Sequence, residues 1–219
     1  MLTSSYGIRG RIPSSAKRRA LCLYVLCTPT LCFLLSVPNP PLVAAASDDS
    51  VRNFVDRMND ASTALLSSES NATLRCRRLL GGAFDVPGMA RHALGKAWDQ
   101  STSAERQAFL AAFEDEIVAA YLRRMRAYRG AIMSFVGARP PSGGDRLAAC
   151  RLTGRGDPEQ TWIWRLRPIG QSWRIVDVSI DGRGALHAER QDYAEILDTN
   201  HGDINAVIAF VRRRARNGS

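Results

Sequence analysis

The side chains that could perform acid–base or metal chemistry are few and scattered along this chain. The three histidines, His92, His187 and His201, fall on different predicted elements, and none has the spacing of a metal site. The sequence also lacks a glycine-rich phosphate loop and the G-x-S-x-G turn of serine hydrolases. A catalytic acid needs a second group in an opposing environment, and we find no such partner for Asp177. The sequence therefore favours a protein that is not an enzyme and needs no metal or cofactor.

Carboxylates occupy two further positions of interest. Asp177 lies between apolar residues of a predicted strand, where a carboxylate commonly faces solvent or pairs with an arginine of the neighbouring strand. Arg165 and Arg167 are the candidate partners. The acidic run at 114–116 lies beside the apolar stripe of a predicted helix, so we expect it to face solvent.

Apolar side chains recur at helical and strand spacing in the second half of the chain. Periodicity alone favours a packed core over a ligand pocket for this set. The set comprises Phe113, Ile117, Tyr121, Met125 and Tyr128 on a helix, and Trp164, Val176, Val178 and Ile180 on strands.

The first 46 residues have the order of a secretory signal peptide. A basic segment, residues 1–19, precedes an apolar stretch over residues 20–37 that Pro29 interrupts, and Ala44-Ala45-Ala46 fits a small-residue cleavage site. An uncleaved membrane anchor is the alternative, although a span needs about twenty continuous apolar residues. We expect the signal to be cleaved and the protein to reach the periplasm.

The mature chain, residues 47–219, has the length of a single domain. Residues 1–46 contain five basic and no acidic side chains, so only +4 of the formal net charge of +9 remains. That charge suits an anionic membrane surface but falls short of the basic stripe of a nucleic-acid-binding protein. Cys76 and Cys150 could form one disulfide in an oxidising compartment or remain separate buried thiols, and the sequence leaves both possibilities open.

Capping signals and apolar periodicity predict six helices in the mature chain. The strongest of these begins at a capping box formed by Thr102 and Glu105. The predicted helices cover residues 48–66, a short segment ending at Gly81-Gly82, the segment from Asp85 to Leu94, the segment from Thr102 to Gly130, and residues 186–199 and 203–214.

Four short strands are predicted between the fourth and fifth helices. They cover Ile132–Ala138, Arg146–Thr153, and residues 162–167 and 175–180, and Asp181-Gly182 ends the sheet. Strands joined by tight turns form an antiparallel meander, so the predicted fold class is α+β. In the last strand, Val176, Val178 and Ile180 are predicted to share one face.

Three groups of residues resemble the MlaC family, also called the toluene-tolerance auxiliary family. Their order and spacing match over most of the mature chain. The groups are Phe84-Asp85 with Met89-Ala90-Arg91, Ala93-Leu94-Gly95 and Trp98; Ser103-Ala104-Glu105-Arg106 with Phe109, Phe113, Tyr121, Tyr128 and Gly130; and Trp173-Arg174-Ile175-Val176-Asp177-Val178 with Asp181-Gly182 and Tyr193-Ala194-Glu195-Ile196-Leu197.

The resemblance implies a carrier that shuttles phospholipids through the periplasm and supports outer-membrane lipid asymmetry. It implies partners as well: the MCE-domain subunit of an inner-membrane ABC transporter and an outer-membrane lipid-transfer complex. It also implies an α+β fold of the NTF2-like or cystatin-like kind, in which helices cover a curved antiparallel sheet of about four strands. A related branch, HpnM, is associated with hopanoids, so the lipid is either a phospholipid or a hopanoid-type lipid.

A lipid carrier needs an apolar enclosure, and the periodic apolar residues are the candidates for its walls. The fourth helix would supply Phe113, Ile117, Tyr121, Met125 and Tyr128, and the sheet would supply Trp164, Val176, Val178 and Ile180. The tyrosine rings would lie inside the cavity, with their hydroxyls near a headgroup.

Two alternatives belong to other functional classes. One is an NTF2-like periplasmic adaptor domain without a lipid cavity, which would show the same periodicity. The other is a hydrolase that uses His187 or His201 with Asp177, which would turn over ester substrates.

Overall fold

The protein is an α+β domain in which helices pack around one antiparallel sheet. The computed structural model describes residues 48–67, 70–140, 143–154 and 159–217, so the predicted signal segment and the cleavage point before Ser47 lie outside the described residues. The helices are α1 (Asp48–Leu66), α2 (Ala72–Ala83), α3 (Val86–Leu94), α4 (Lys96–Gln100), α5 (Ser103–Ala127), α6 (Ala185–Thr199) and α7 (Ile204–Asn217). The strands are β1 (Ile132–Arg139), β2 (Arg146–Thr153), β3 (Gln160–Ile169), β4 (Ser172–Ile180) and β5 (Arg183–Gly184).

The sheet is an open meander with the strand order β1-β2-β3-β4-β5. The four predicted strands are confirmed, but the expectation that Asp181-Gly182 ends the sheet is wrong. Both residues have positive φ angles, 49° and 81°, as the two central residues of a type I′ hairpin turn require. The chain therefore reverses at this turn, and Arg183 pairs with Ile180 in a fifth, two-residue strand.

Two β-bulges interrupt the alternation of the sheet. One lies in β1 between Phe135 and Gly137 and leaves Val136 as the extra residue, and its side chain is 56% exposed. The other lies in β4, where Asp177 is opposite Arg165 and Ile175 is opposite the next residue, Leu166. Val176 is therefore the extra residue. A bulge bends its strand and increases the local twist, so both bulges make the sheet depart from a flat, regular meander.

The helices follow their predicted positions closely, with two differences. The structure extends α2 through Gly81 and Gly82, since Arg174 of β4 donates hydrogen bonds to both of their carbonyl oxygens, which a helix end otherwise leaves unpaired. A short helix, α4, follows α3 directly. Gly95 joins them with a φ of 61°, a left-handed value that glycine adopts at little cost.

The predicted start of α5 is confirmed by its hydrogen bonds. The Glu105 backbone N–H donates to the Thr102 hydroxyl at 3.2 Å, and the Thr102 N–H donates to the Glu105 carboxylate at 2.8 Å. These reciprocal bonds satisfy two donors that the helix start leaves free. They fix the first turn of the longest helix in the described part of the chain.

The helices cover the sheet unevenly. Helix α1 lies beside β1, whereas α2, α3 and α6 contact β4. Helix α5 packs along α7 and α2, and aromatic rings join it to α6 as well. Phe109 lies between Phe113 and Tyr193, with ring centroids 5.7 Å apart in each pair.

Neither candidate arginine forms an ion pair with Asp177, although Arg165 lies opposite it in the strand register. Arg165 and Arg167 both bind Asp145, at Nε–carboxylate distances of 2.6 and 3.0 Å. Asp177 instead accepts the backbone N–H groups of Val178 and Leu186 through Oδ1. The strand carboxylate thus stabilises the first turn of α6, where orphan donors and the helix dipole favour negative charge.

Cys76 and Cys150 are separate, buried free thiols. Of the two possibilities left open by the sequence, the structure therefore has the unbridged one. Burial raises the pKa of Cys76 to about 11 and that of Cys150 to about 12, so both remain protonated and unreactive at neutral pH.

The Asp145 ion cluster should contribute measurably to stability. The Asp145 side chain is buried, and the bonds from Arg167 and Arg165 hold the pKa of its carboxyl below the ordinary value although burial opposes this. We expect Asp145→Asn to lower the free energy of unfolding by about 1–3 kcal/mol, because charge-assisted hydrogen bonds are lost. Urea denaturation measures this change.

Asp99→Asn is the matched control for this prediction. Asp99 forms an exposed ion pair with Arg91 at 3.1 Å, and exposed pairs contribute less than about 1 kcal/mol. If the two asparagine variants were equally stable, the Asp145 cluster would not have the assigned role.

Candidate functional site

Two apolar compartments lie between the helices and the sheet. The α1 compartment, about 510 Å³, opens between the C-terminal half of α1, the end of α5 and strands β1 to β3. The α6 compartment, about 250 Å³, lies between α3, α5, α6 and strands β3 and β4. Both are within or close to the size range of small-molecule sites, which are typically roughly 300–1,000 Å³ and mostly apolar.

The two compartments meet at a shared wall. Four side chains, Tyr121 and Met125 of α5 and Trp162 and Trp164 of β3, line both compartments. The two compartments therefore lie next to each other, one on each side of this wall, and we refer to the pair as the cavity.

Seven of the nine predicted site residues line the cavity. Tyr121, Met125 and Trp164 lie in the shared wall; Phe113, Ile117 and Val178 line the α6 compartment; and Tyr128 lines the α1 compartment. Residues from α5 and the sheet thus meet at one site, although the chain separates them by up to 65 positions. This convergence follows from the packing of α5 opposite β3.

Val176 and Ile180 are placed differently. The bulge in β4 puts Ile175, rather than Val176, opposite Leu166, and Val176 is buried outside the contiguous core. The prediction that Val176 shares one face with Val178 and Ile180 assumed a regular strand and is wrong for that reason. Ile180 lies opposite Trp162 at the end of β4, next to the core.

The hydroxyl of Tyr121 is held inside the protein. Ser62 of α1 donates its hydroxyl proton to the Met58 carbonyl, so the Tyr121 hydroxyl donates to the Ser62 oxygen. Burial raises the pKa of Tyr121 to about 12, and the phenol remains neutral. This bond fixes the ring in the shared wall.

Tyr128 is fixed in a similar way at the other end of the shared wall. Its hydroxyl donates to Gln160 Oε1 at 2.9 Å, and the same oxygen accepts the Trp162 indole N–H at 3.2 Å. We call the Ser62–Tyr121 and Gln160–Tyr128 bonds the tyrosine tethers. Both hydroxyls were expected near a headgroup, but each is engaged by the protein.

A charged cluster borders the α6 compartment. Arg214 of α7 contacts Glu116 and Glu189, each at 2.6 Å, and the Tyr193 hydroxyl lies 3.4 Å from Glu116. The expectation that the whole acidic run at 114–116 faces solvent is therefore wrong for Glu116, which is only 6% exposed. Helical periodicity places positions 113, 116 and 117 on one side of α5, and this signal was available in the sequence.

Several lining residues were not predicted. Trp162 alternates with Trp164 and shares its face, so the strand pattern contains the signal. Phe84 and Met89 also line the α6 compartment, together with Met58. No periodicity links these residues to α5, because Met58 lies in α1, Met89 in α3 and Phe84 between α2 and α3, and only the tertiary fold brings them together.

The fold and the cavity define a class: an α+β domain with apolar compartments between its helices and an open antiparallel sheet. The sequence matches the MlaC family, described as MlaC protein, over residues 48–213. The chain therefore belongs to the MlaC family. No curated protein matches it significantly.

Among solved structures, a phospholipid-binding protein from Ralstonia solanacearum, determined in complex with a phospholipid, has a similar fold. The TM-score is 0.65 at 15% sequence identity, and the match covers 78% of this chain and 97% of that chain. At this identity the likeness establishes the fold. Within the described residues, no helix is long and apolar enough to span a membrane, and no cluster of metal-ligating side chains occurs.

The pH dependence of stability should report the burial of Glu116. Burial and the nearby Glu189 raise the pKa of Glu116 to about 7, against the opposing charge of Arg214. Between about pH 4.5, the ordinary value, and about pH 7 the folded protein holds a proton that the unfolded chain releases. The stabilisation by neutral Glu116 is thus complete below that window and is lost as the pH rises through it.

Glu116→Gln tests this assignment by urea denaturation at several pH values. Across the window, the free energy of unfolding of the wild type should fall by up to about 1.4 kcal/mol per pH unit, the value for one proton. The variant should lack this decline. Glu114→Gln, in the exposed part of the same run, controls for the loss of a carboxylate. Parallel stability curves for wild type and Glu116→Gln would contradict the assignment.

Proposed function

We propose that this protein is a periplasmic lipid carrier that holds the acyl chains of one phospholipid in the two compartments. The observation that carries the proposal is the pair of adjacent apolar compartments that share the wall formed by Tyr121, Met125, Trp162 and Trp164. Membership of the MlaC family supports it. The similar fold of a protein determined with a bound phospholipid supports it further.

The physical task explains why such a cavity is needed. Exposing one CH₂ group to water costs about 0.8 kcal/mol, so a sixteen-carbon tail costs on the order of 12 kcal/mol. A carrier that encloses the tail offsets this cost during transit. No covalent chemistry is involved, so a binding role requires no catalytic residues.

In its cellular role, the protein is the shuttle component of an ABC-type lipid transport system. It would exchange lipid with the MCE-domain subunit of an inner-membrane transporter and with an outer-membrane lipid-transfer complex. The secretory order of the first 46 residues supports export to the periplasm. The net charge of +4 on residues 47–219 favours approach to anionic membrane surfaces.

The cavity favours the carrier over the adaptor alternative, which has a filled interior. The hydrolase alternative is disfavoured for another reason, because the Asp177 carboxylate that it requires already accepts two backbone N–H groups. A hopanoid-type lipid is the other ligand considered for this cavity. Its rigid ring system would have to fit a cavity that is divided by the shared wall.

A charge in the cavity wall should abolish lipid binding. Val178 lines the α6 compartment, and a glutamate there would meet hydrocarbon, where an unpaired carboxylate is strongly disfavoured. We expect protein expressed in bacteria to co-purify with phospholipid and Val178→Glu to co-purify with none. Native mass spectrometry and organic extraction of the purified proteins measure the bound lipid.

Val136→Glu is the matched control, since it makes the same substitution at an exposed bulge position of the same sheet. Circular dichroism verifies that each variant is folded. If Val178→Glu does not fold, Met125→Trp narrows both compartments without adding charge, since Met125 lines both, and should also reduce the bound lipid. Folded Val178→Glu or Met125→Trp that carries lipid at the wild-type level would overturn the cavity assignment, as would wild-type protein that never takes up lipid.

A further inference from the structure

Exposed lining residues mark where each compartment opens to solvent. Ile132 lines the α1 compartment and is nevertheless 63% exposed, more than any other large apolar residue in the described part of the chain. Arg129 lines the same compartment, and Arg124 lines the α6 compartment; both are exposed. We call Arg124, Arg129 and Ile132 the rim residues.

The connection between α5 and β1 brings the rim residues to the same end of the cavity. Arg124 lies in the last turn of α5, Arg129 lies just after the helix, and Ile132 begins β1. The Ala131 N–H donates to the Tyr128 carbonyl oxygen at 2.9 Å, which closes the turn from helix to strand. Both openings therefore lie beside this turn.

The rim arginines carry charge that the protein leaves uncompensated. The segment 117–144 contains five arginines and no acidic residue. Within the described residues, neither Arg124 nor Arg129 forms an ion pair, whereas Arg214, which also lines the α6 compartment, contacts two glutamates. Arg123 is excluded from the rim set because it interacts with Glu116.

Neighbouring groups do not cancel this charge. Arg124 lies over the Trp162 ring, 5.4 Å from the ring centroid, and such a contact stabilises a guanidinium group without neutralising it. Two carboxylates at the same end of the sheet are engaged elsewhere: Glu159 pairs with Arg151 at 2.9 Å, and Asp181 accepts a backbone N–H at 3.0 Å.

We propose that the rim residues dock the protein onto a membrane surface that contains anionic phospholipids. The inference rests on the proposed carrier function, because it makes the openings of the two compartments the part of the protein that meets the bilayer. The arginines pair with lipid phosphates, and Ile132 enters the boundary between headgroups and acyl chains.

Two features favour a bilayer over an acidic protein surface as the partner. A bilayer presents phosphates and, a few ångströms deeper, hydrocarbon, which matches arginines placed beside an exposed isoleucine. The second feature is the cargo. With the openings against the bilayer, an acyl chain passes from hydrocarbon into an apolar compartment without being exposed to water.

Binding to vesicles tests the proposal. The purified protein is mixed at physiological ionic strength with vesicles of phosphatidylcholine alone or of phosphatidylcholine with phosphatidylglycerol, and flotation measures the bound fraction. We expect wild type to bind only the anionic vesicles and to bind them more weakly as salt is added. Arg124→Gln combined with Arg129→Gln should weaken this binding by roughly 25-fold, from about 5-fold for each arginine near the surface.

Arg139→Gln combined with Arg146→Gln is the matched control for charge. It removes the same number of positive charges, but Arg139 ends β1 and Arg146 begins β2. Because β1 spans eight residues, Arg139 lies about 23 Å along the strand from Ile132. This distance exceeds the Debye length of about 8 Å, so the control should bind the anionic vesicles nearly as well as wild type.

A second pair of variants tests the apolar contact. Ile132→Ser should weaken binding to the anionic vesicles by roughly 4-fold or more, the value for withdrawing one methylene-sized group from hydrocarbon. Val136→Ser is its control, since Val136 is 56% exposed on the same strand but lines neither compartment, and it should bind like wild type. Thermal unfolding verifies that every variant is folded.

The vesicle experiment and lipid extraction of the same preparations separate this inference from the carrier function. Wild type that binds both kinds of vesicle equally, or a far-end control that loses as much binding as the rim variant, overturns the docking surface. Wild type that binds neither kind but carries lipid leaves an acidic protein as the partner of the rim, which also overturns it while the carrier function stands. Wild type that binds anionic vesicles but never carries lipid overturns the carrier function and, with it, the role of the rim in lipid exchange.

Discussion

The structure depends on keeping an apolar space open inside a folded protein. An empty apolar cavity is costly, because the atoms that line it lose packing contacts that a filled core would make. A chain with freely adjustable helices would collapse to fill it. The layers on either side of the cavity must therefore be held apart, and a bound hydrocarbon chain would remove much of the cost.

Polar contacts at the edges of the cavity hold the layers in place. The tyrosine tethers fix α5 relative to α1 and β3, and the Arg214 cluster ties α5 to α6 and α7. Arg174 joins α2 to β4. Because these bonds are directional, they set distances between elements that apolar packing alone would leave adjustable. The cavity walls are mostly apolar, although polar side chains, among them Ser62 and Arg214, also line them.

The sequence predicts the elements well because their signals are local. The bounds of α1, the capping box of α5 and all four main strands follow from periodicity and turn chemistry within short windows. The sequence fails where a distant contact decides the outcome. Arg174 extends α2 through its two glycines, Asp145 binds the two arginines that were candidate partners of Asp177, and one extra residue in β4 removes Val176 from the predicted face. For the site, the α5 face was predictable, but the contribution of α1 and α3 was not. Periodicity could not indicate a class of ligand, whereas the family resemblance implied one.

The most direct test of the account is a crystal structure of the protein purified with its bound material. The account predicts continuous electron density for two acyl chains, one in each compartment, which diverge at the wall formed by Tyr121, Met125, Trp162 and Trp164. It would be contradicted by a structure in which side chains from α5 and β3 close over both compartments and no ligand density is present. In that case the interior is an ordinary core, and the lipid-carrier interpretation has no physical basis.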